Sequence, residues 1–152
     1  MPKVAVVMGS KSDMEVMQGT VDALSRMGVD SEVFIMSAHR QPEKVHTFCM
    51  GARSSGFEVI IAGAGAAAHL PGVIASWTTL PVIGVPIPSS ELKGVDSLYA
   101  IVQMPAGIPV AAMAIGAAGA KNAAYLAAQI LGIKYPDVAR AYEIFRIELK
   151  GN

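Results

Sequence analysis

Apolar residues in this sequence follow two spacings that alternate along the chain. Five short runs are rich in apolar residues, and runs of this length and composition predict β-strands. They lie at 4–8, 31–36, 59–62, 80–85 and 110–114. The first run shows no alternation with polar residues, which is typical of a strand buried on both faces in a parallel sheet.

Between these runs, apolar residues recur at helical spacing, which predicts amphipathic helices. The first predicted helix ends near residue 27. Five others cover residues 42–54, 73–78, 96–103, 118–131 and 136–150. Gly28 and Gly56 follow two of them, where glycine commonly ends a helix, and Pro42 stands at a first helical position. Strands that feed loops and then helices predict a parallel sheet covered by helices on both sides. We expect an α/β fold with one domain over residues 1–152, since no linker or repeat divides it.

Composition adds an expectation about assembly. Hydrophobic residues make up 53% of the chain and charged residues only 16%. So few charges favour a surface that is partly buried against other subunits, although many alanines and glycines also raise the apolar count. The 12 basic and 12 acidic residues balance, and no basic stripe indicates a nucleic-acid partner.

The remaining composition bears on the cell compartment and on metals. The lone cysteine, Cys49, lies in a predicted helix, where we expect a buried and unreactive thiol. Residues 1–3 lead into the first strand without a signal-peptide pattern, and Gly, Pro or His interrupts the longer apolar stretches. These features favour a cytoplasmic protein with no membrane partner. No pair of His or Cys stands at metal-ligand spacing, so we expect no metal site.

Three loops rich in polar or small residues follow the first three predicted strands, at 9–13, 37–40 and 63–72. Ligands of an open parallel sheet bind beyond the carboxyl ends of its strands, so we expect these loops to form one site. The first loop opens a helix, and the free amides of a helix N-terminus stabilise a phosphate. Ser12 or Asp13 is also expected to cap that helix, which is the simpler role of this loop.

The second and third loops carry two imidazoles. His39 can exchange a proton near neutral pH, and Arg40 beside it offers a fork of donors for phosphate or carboxylate. A His-Arg pair is common on exposed surfaces, but its place at a strand end favours function. In the third loop, Gly63 and Gly65 allow backbone amides to approach a ligand closely. His69 in the same loop is expected either to bind a substrate carboxylate or to cap the following helix.

Several motifs resemble, in order along nearly the whole chain, those of the N5-carboxyaminoimidazole ribonucleotide mutases, the class I family of purine biosynthesis. They lie at 4–13, 37–40, 62–65, 67–72, 96–98, 101–105, 107, 109–110, 114–116, 119–120 and 122–124. The resemblance implies a flavodoxin-like, three-layer αβα sandwich and a homo-octamer with sites at subunit boundaries. It also implies an isomerase without metal, ATP or organic cofactor. The implied reaction moves a carboxylate from the exocyclic nitrogen to ring carbon C4 of an aminoimidazole ribonucleotide.

The resemblance also implies a role for each candidate residue. His39 would move the proton while carbon dioxide leaves the nitrogen, stays trapped in a closed and dry site, and adds at C4. Ser10, Asp13 and Arg40 would hold the ribose and phosphate, with Arg40 at the phosphate and Asp13 at the ribose hydroxyls. The residues implied around the base and its carboxylate are Ser37, Gly65, Ala66, Ala67, His69 and Leu70.

Two positions depart from the family pattern. Met14 stands where the family usually has tryptophan, and we expect it to change packing only. Ala66 stands where a second glycine is usual, so its methyl group would crowd the base or strain the backbone if the loop needs a positive φ there. Two other functions stay open. One is the class II relative, which carboxylates aminoimidazole ribonucleotide directly with carbon dioxide, although the run at 67–72 favours class I. The other is a non-catalytic nucleotide- or flavin-binding module.

Overall fold

A parallel five-stranded sheet forms the centre of the molecule. The computed structural model describes residues 1–89 and 91–151. Its strands are β1 (Lys3–Met8), β2 (Asp30–Ile35), β3 (Val59–Ala64), β4 (Val82–Pro86) and β5 (Ala111–Ala112). They lie in the order β2-β1-β3-β4-β5, and every neighbouring pair is parallel. This is the doubly wound order of flavodoxin-like folds, so the predicted α/β class is confirmed.

In the part of the chain that the structure describes, six α-helices connect and follow the strands. They are α1 (Met14–Arg26), α2 (Pro42–Ala52), α3 (Leu70–Trp77), α4 (Val95–Val102), α5 (Ala117–Gly132) and α6 (Pro136–Gly151), with a 3₁₀ turn at Lys11–Asp13 before α1. The predicted start of α3 at residue 73 is wrong, because the helix begins at Leu70 with Pro71 in its first turn. Proline is favoured there, since a first-turn N–H has no partner within the helix. The predicted strand at 110–114 is also shorter, because β5 is an edge strand that pairs only through Ala111 and Ala112.

Alternate residues of β1 face the two sides of the sheet and build two separate cores. Val4, Val6 and Met8 lie in a cluster with side chains of α1, α5 and α6. Ala5 and Val7 lie in a second cluster with side chains of α2, α3 and α4. All five are fully buried, and burial of a valine-sized side chain contributes roughly 1.5–3 kcal/mol to folding. The sheet is therefore the middle layer of the expected three-layer αβα sandwich.

Small residues allow α5 to pack closely against α1 and against the segment that immediately precedes α5. The buried residues of α5 are Gly119, Ala120, Ala123, Ala124, Ala127, Ala128 and Leu131. The buried hydroxyl of Thr20 on α1 donates a 2.7 Å hydrogen bond to the carbonyl oxygen of Ala120. A Cβ atom on Gly119 would stand 1.6 Å from the carbonyl oxygen of Ala114, so no side chain fits at that position. Part of the high alanine and glycine content thus reflects close internal packing.

The C-terminal helix α6 packs on α5 through two buried apolar side chains. Val138 and Phe145 are buried, and the Phe145 ring stacks on Tyr125 of α5 with ring centroids 4.4 Å apart. Leu149 lies four positions after Phe145, at helical spacing, but this side chain is 52% exposed. Phe145 is the last buried residue of α6.

Two further predictions concern Cys49 and the apolar stretches. Cys49 is buried on α2, so its predicted burial is confirmed, and burial raises the pKa of its thiol to about 11, which disfavours the reactive thiolate. Among residues 1–89 and 91–151, no helix has the length and apolar character needed to span a bilayer.

Candidate active site

Four loops meet at the carboxyl edge of the sheet and enclose a cavity of about 400 Å³. Three of them follow β1, β2 and β3, as predicted, and the fourth follows β4. The volume lies in the usual range of small-molecule sites, about 300–1,000 Å³. The candidate residues that line the cavity are Ser10, Asp13, Ser37, His39, Arg40, Gly65, Ala66, Ala67 and Leu70. The cavity lies where the strand order reverses beside β1, which is the usual ligand position in doubly wound sheets.

The loop after β1 places a hydroxyl and a carboxyl at the cavity. Ser10 caps the 3₁₀ turn, because its Oγ accepts a 3.3 Å hydrogen bond from the backbone N–H of Ser12. The expected capping by Ser12 or Asp13 is wrong, since Asp13 stands at the N-cap of α1 without a side-chain hydrogen bond to the helix. Burial raises the pKa of the half-buried Asp13 carboxyl, and a hydrogen bond from the Ser10 backbone opposes that effect. A partly desolvated carboxylate in this position gains stability from hydroxyl donors of a ligand.

The loop after β2 is held by Ser37 and presents His39 and Arg40. The Ser37 Oγ accepts a 3.2 Å hydrogen bond from the Arg40 backbone N–H, and the Ser37 carbonyl accepts one from Gln41 at 2.9 Å. This turn leaves the His39 and Arg40 side chains exposed. Within residues 1–89 and 91–151, no carboxylate lies within 4.0 Å of the Arg40 guanidinium. Arg40 is therefore available to pair with an anionic ligand.

His39 and His69 come together from two different loops. Nε2 of His39 lies 2.9 Å from Nδ1 of His69, and the two rings are nearly perpendicular at 83°. His69 precedes α3, but its side chain makes no capping hydrogen bond to that helix, so the capping alternative is wrong. His69 does not line the cavity itself and reaches it through His39. The third imidazole, His46, lies outside the cavity, on α2 against the Trp77 ring.

The small-residue loop after β3 contains one strained alanine, at a different position from the one predicted. Ala67 has a φ of +50°, in the left-handed region, whereas Ala66 is not among the residues with positive φ. The alternative of backbone strain at Ala66 is therefore wrong, whereas crowding of the base by its methyl group stays a prediction. The Ala66 backbone N–H donates a 2.8 Å hydrogen bond to Ser89 Oγ, and its methyl group is exposed. Leu70 is buried where the loop enters α3 and borders the cavity.

Two serines of the site were missed in the sequence. Ser89 lines the cavity from the loop after β4, and Ser97 on α4 is buried behind the loops. The Ser97 hydroxyl donates a 2.7 Å hydrogen bond to the Gly65 carbonyl oxygen. The signal for Ser89 was its place after the fourth strand, because the rule that gathered the first three loops also applies to this one.

No metal cluster accompanies the cavity in the part of the chain that the structure describes. Across residues 1–89 and 91–151, no three side chains of His, Cys, Asp or Glu lie together as a metal site would require. The polar groups at the cavity are instead hydroxyls, one carboxyl, one imidazole and one guanidinium. Such a set can bind a polar anion and exchange a proton with it.

Comparison with known proteins connects this site to one family. The family model described as AIR carboxylase matches residues 3–151, nearly the whole chain. The chain belongs to the AIR carboxylase family. The matched residues include every loop of the cavity, and the match confirms the resemblance seen in the ordered sequence motifs.

Individual relatives agree with the family match. The N5-carboxyaminoimidazole ribonucleotide mutase of Saccharolobus solfataricus is 57% identical over all of this chain and 95% of the relative. The mutase of the same name from Aquifex aeolicus is 60% identical over 91% of this chain and 82% of the relative. The crystal structure of Treponema denticola PurE superposes with a TM-score of 0.90 and 28% identity, covering 99% of this chain and 93% of that one. Fold and family are thus supported by both sequence and structure.

Proposed function

We propose that this chain is an N5-carboxyaminoimidazole ribonucleotide mutase that forms 4-carboxy-5-aminoimidazole ribonucleotide in purine biosynthesis. The relative of this name from Saccharolobus solfataricus is 57% identical over the full chain. The observation that carries the proposal is one cavity that combines the His39 imidazole, the exposed Arg40 guanidinium and a wall of small residues. The proposed mutase domain extends over residues 1–152, with α6 as its last helix.

The polar end of the cavity suits the ribose phosphate. The proposal assigns the phosphate to Arg40, whose planar fork of donors matches its oxygens, and to the Ser10 hydroxyl. It assigns the ribose hydroxyls to Asp13, because a partly buried carboxylate is stabilised by hydroxyl donors. Ser37 holds the turn that carries Arg40, because its Oγ accepts a hydrogen bond from the Arg40 backbone N–H. In this assignment the Arg40 guanidinium supplies the positive charge for the phosphate, and the Asp13 carboxylate contacts the uncharged ribose hydroxyls.

The apolar end of the cavity suits the base and the migrating carboxylate. The proposal places both against Gly65, Ala66, Ala67 and Leu70, with His69 behind His39. Small side chains and backbone amides can hold carbon dioxide near C4 without binding a carboxylate so tightly that it cannot move. A charged side chain at this end would stabilise the carboxylate before it leaves the nitrogen and would slow the reaction.

The proton transfers of the proposed reaction require only one acid–base group. When the bond between the exocyclic nitrogen and the carboxylate carbon breaks, its electron pair stays on nitrogen, which takes a proton from the His39 imidazolium. C4 then attacks the trapped carbon dioxide, and the new C–C bond makes C4 tetrahedral. The neutral His39 imidazole removes the hydrogen from C4, which restores the aromatic ring. His39 thus ends in its starting state, and no metal or organic cofactor takes part.

The proposal includes a cytoplasmic homo-octamer with sites at subunit boundaries. Several large apolar side chains of the chain are exposed, as expected of surfaces that other subunits cover. On and beside α4 they are Leu92, Val95, Tyr99 and Val102, and towards the C-terminus they are Ile133, Ile144, Ile147 and Leu149. The imidazole of His39 is itself exposed in the single chain, so neighbouring subunits would help to exclude water from it. Light scattering of the purified protein measures the number of subunits.

One other reaction competes with the mutase reaction. The family model is described by the name of the carboxylase, which points to direct carboxylation of aminoimidazole ribonucleotide. The two reactions are separated by supplying the purified protein with either the carbamate or the unmodified amine plus bicarbonate. The proposal predicts rapid product formation from the carbamate alone. Turnover of the amine with bicarbonate, and none of the carbamate, would reassign the chain to the carboxylase reaction.

A further inference from the structure

The loop after β4 contributes a hydroxyl to the part of the cavity formed by small residues. Ser89 lines the cavity, and its Oγ accepts a 2.8 Å hydrogen bond from the backbone N–H of Ala66. The two residues are 23 positions apart in the chain, so the contact joins two separate loops. Ser89 lines the cavity from the loop that follows β4.

The position of this hydroxyl is fixed by close packing on both sides. A Cβ atom on Gly65 would stand 1.8 Å from Ser89 Oγ, so the two loops approach as closely as a glycine permits. Behind them, the buried hydroxyl of Ser97 donates a 2.7 Å hydrogen bond to the Gly65 carbonyl oxygen and lies 3.3 Å from that of Ile87. Ser97 therefore links the loop after β3 to the loop after β4, and it is a positioning residue for Ser89.

The hydrogen-bonding capacity of Ser89 is only partly used. A serine hydroxyl has one proton to donate and two lone pairs that accept. The bond from Ala66 occupies one lone pair and leaves the proton. In the part of the chain that the structure describes, this is the single hydrogen bond of the Ser89 side chain. A polar proton held at a cavity wall is a ready donor for a ligand oxygen.

We propose that Ser89 binds the substrate directly, by donating its hydroxyl proton to an oxygen of the carboxylate on the aminoimidazole. This assignment rests on the proposed function, which places the base and its carboxylate beside Ala66 and Gly65. The Ala66 N–H polarises the Ser89 oxygen, and this makes its own proton a stronger donor. A neutral hydroxyl holds the carboxylate in place without the strong attraction of a charged side chain. Ser89 is in this way a specificity determinant for the carboxylated ligand.

The test compares two ligands that differ by the carboxylate. Dissociation constants are measured by calorimetry for 4-carboxy-5-aminoimidazole ribonucleotide and for aminoimidazole ribonucleotide, with the wild-type protein and with Ser89→Ala. We expect Ser89→Ala to weaken binding of the carboxylated ligand by about 10-fold or more, as for a hydrogen bond to a charged group. The ligand without the carboxylate should lose less than about twofold, since it has no partner for this proton. An equal loss for both ligands, or no loss for either, would overturn the assignment.

Two further variants guard against a structural explanation. Ser89→Thr keeps the hydroxyl and is expected to retain the preference for the carboxylated ligand, whereas loss of that preference would count against the proposal. If Ser89→Ala does not fold, Ser89→Cys replaces it, because a thiol is similar in size but a weak donor. A wild-type protein that binds neither ribonucleotide would overturn the proposed function together with this inference. Binding of both ligands with no selective loss in the variants would overturn the Ser89 assignment alone.

Discussion

His39 and His69 share a hydrogen bond between two imidazole rings, with His39 Nε2 and His69 Nδ1 2.9 Å apart. One nitrogen must donate and the other must accept, so at least one of the two rings is neutral while the bond persists. Because this bond occupies Nε2 of His39, Nδ1 is the ring nitrogen left to face a ligand. His69 thereby orients the His39 ring and, in the proposed reaction, leaves Nδ1 as the nitrogen that would exchange the proton.

Removal of His69 should reduce turnover through His39. We expect His69→Ala to lower kcat by about tenfold, since one hydrogen bond that orients the proton carrier is lost. Steady-state kinetics at saturating substrate measures this effect.

His46→Ala is the matched control for that experiment. It removes an exposed imidazole from α2, outside the cavity, where the ring contacts Trp77. Its kcat should equal that of the wild type. If His69→Ala were as active as His46→Ala, the shared hydrogen bond would have no part in the reaction.

Arg40 should act mainly on substrate affinity. We expect Arg40→Ala to raise KM about 10- to 100-fold, because a charge-assisted phosphate contact contributes about 1.5–3 kcal/mol. Its kcat should stay within about threefold, as expected when a contact is made equally in the ground and transition states. Arg146→Ala on α6 removes an exposed guanidinium that does not line the cavity, and it serves as the control. A large fall in kcat with an unchanged KM would contradict the assignment of Arg40 to the phosphate.

The strained alanine of the small-residue loop gives a prediction about stability. Ala67 adopts a φ of +50°, which is unfavourable for any residue with a Cβ atom. Ala67→Gly should therefore raise the free energy of unfolding by about 0.5–1 kcal/mol, after allowance for the greater freedom of glycine in the unfolded chain. Ala66→Gly, one residue earlier and without positive φ, should lower it slightly. Chemical denaturation of the two variants side by side measures this difference, and equal effects would show that the strain is not localised at Ala67.

Much of the fold could be predicted because its signals are local. The apolar run at β1, the glycine after α1 and the proline at the start of α2 each mark an element within a few residues of sequence. The position of the site followed from one rule of parallel sheets, since the loops after β1, β2 and β3 must lie at one edge. Both histidines of the pair were singled out for this reason, although they stand 30 residues apart.

The remaining details depend on contacts between distant residues. The bond between His39 and His69 requires the relative height of two loops, which no spacing in the sequence encodes. The sequence does not distinguish Ser89 from other loop serines. Its bond to the Ala66 N–H depends on the close packing of its loop against Gly65. The capping errors have a similar cause, because Ser10 rather than Ser12 or Asp13 captures the free amide once the 3₁₀ turn forms. Competition among adjacent polar residues is decided by backbone geometry.

The central claim is that His39 carries the proton during carboxylate transfer, and the variant His39→Asn tests it most directly. Turnover of the carbamate and the dissociation constant of the carboxylated product are measured on the same preparation. Our account predicts that kcat falls by at least about 100-fold, the usual contribution of a general acid–base group, while product affinity stays within about threefold. A variant that keeps kcat within a few-fold of the wild type would contradict the role of His39.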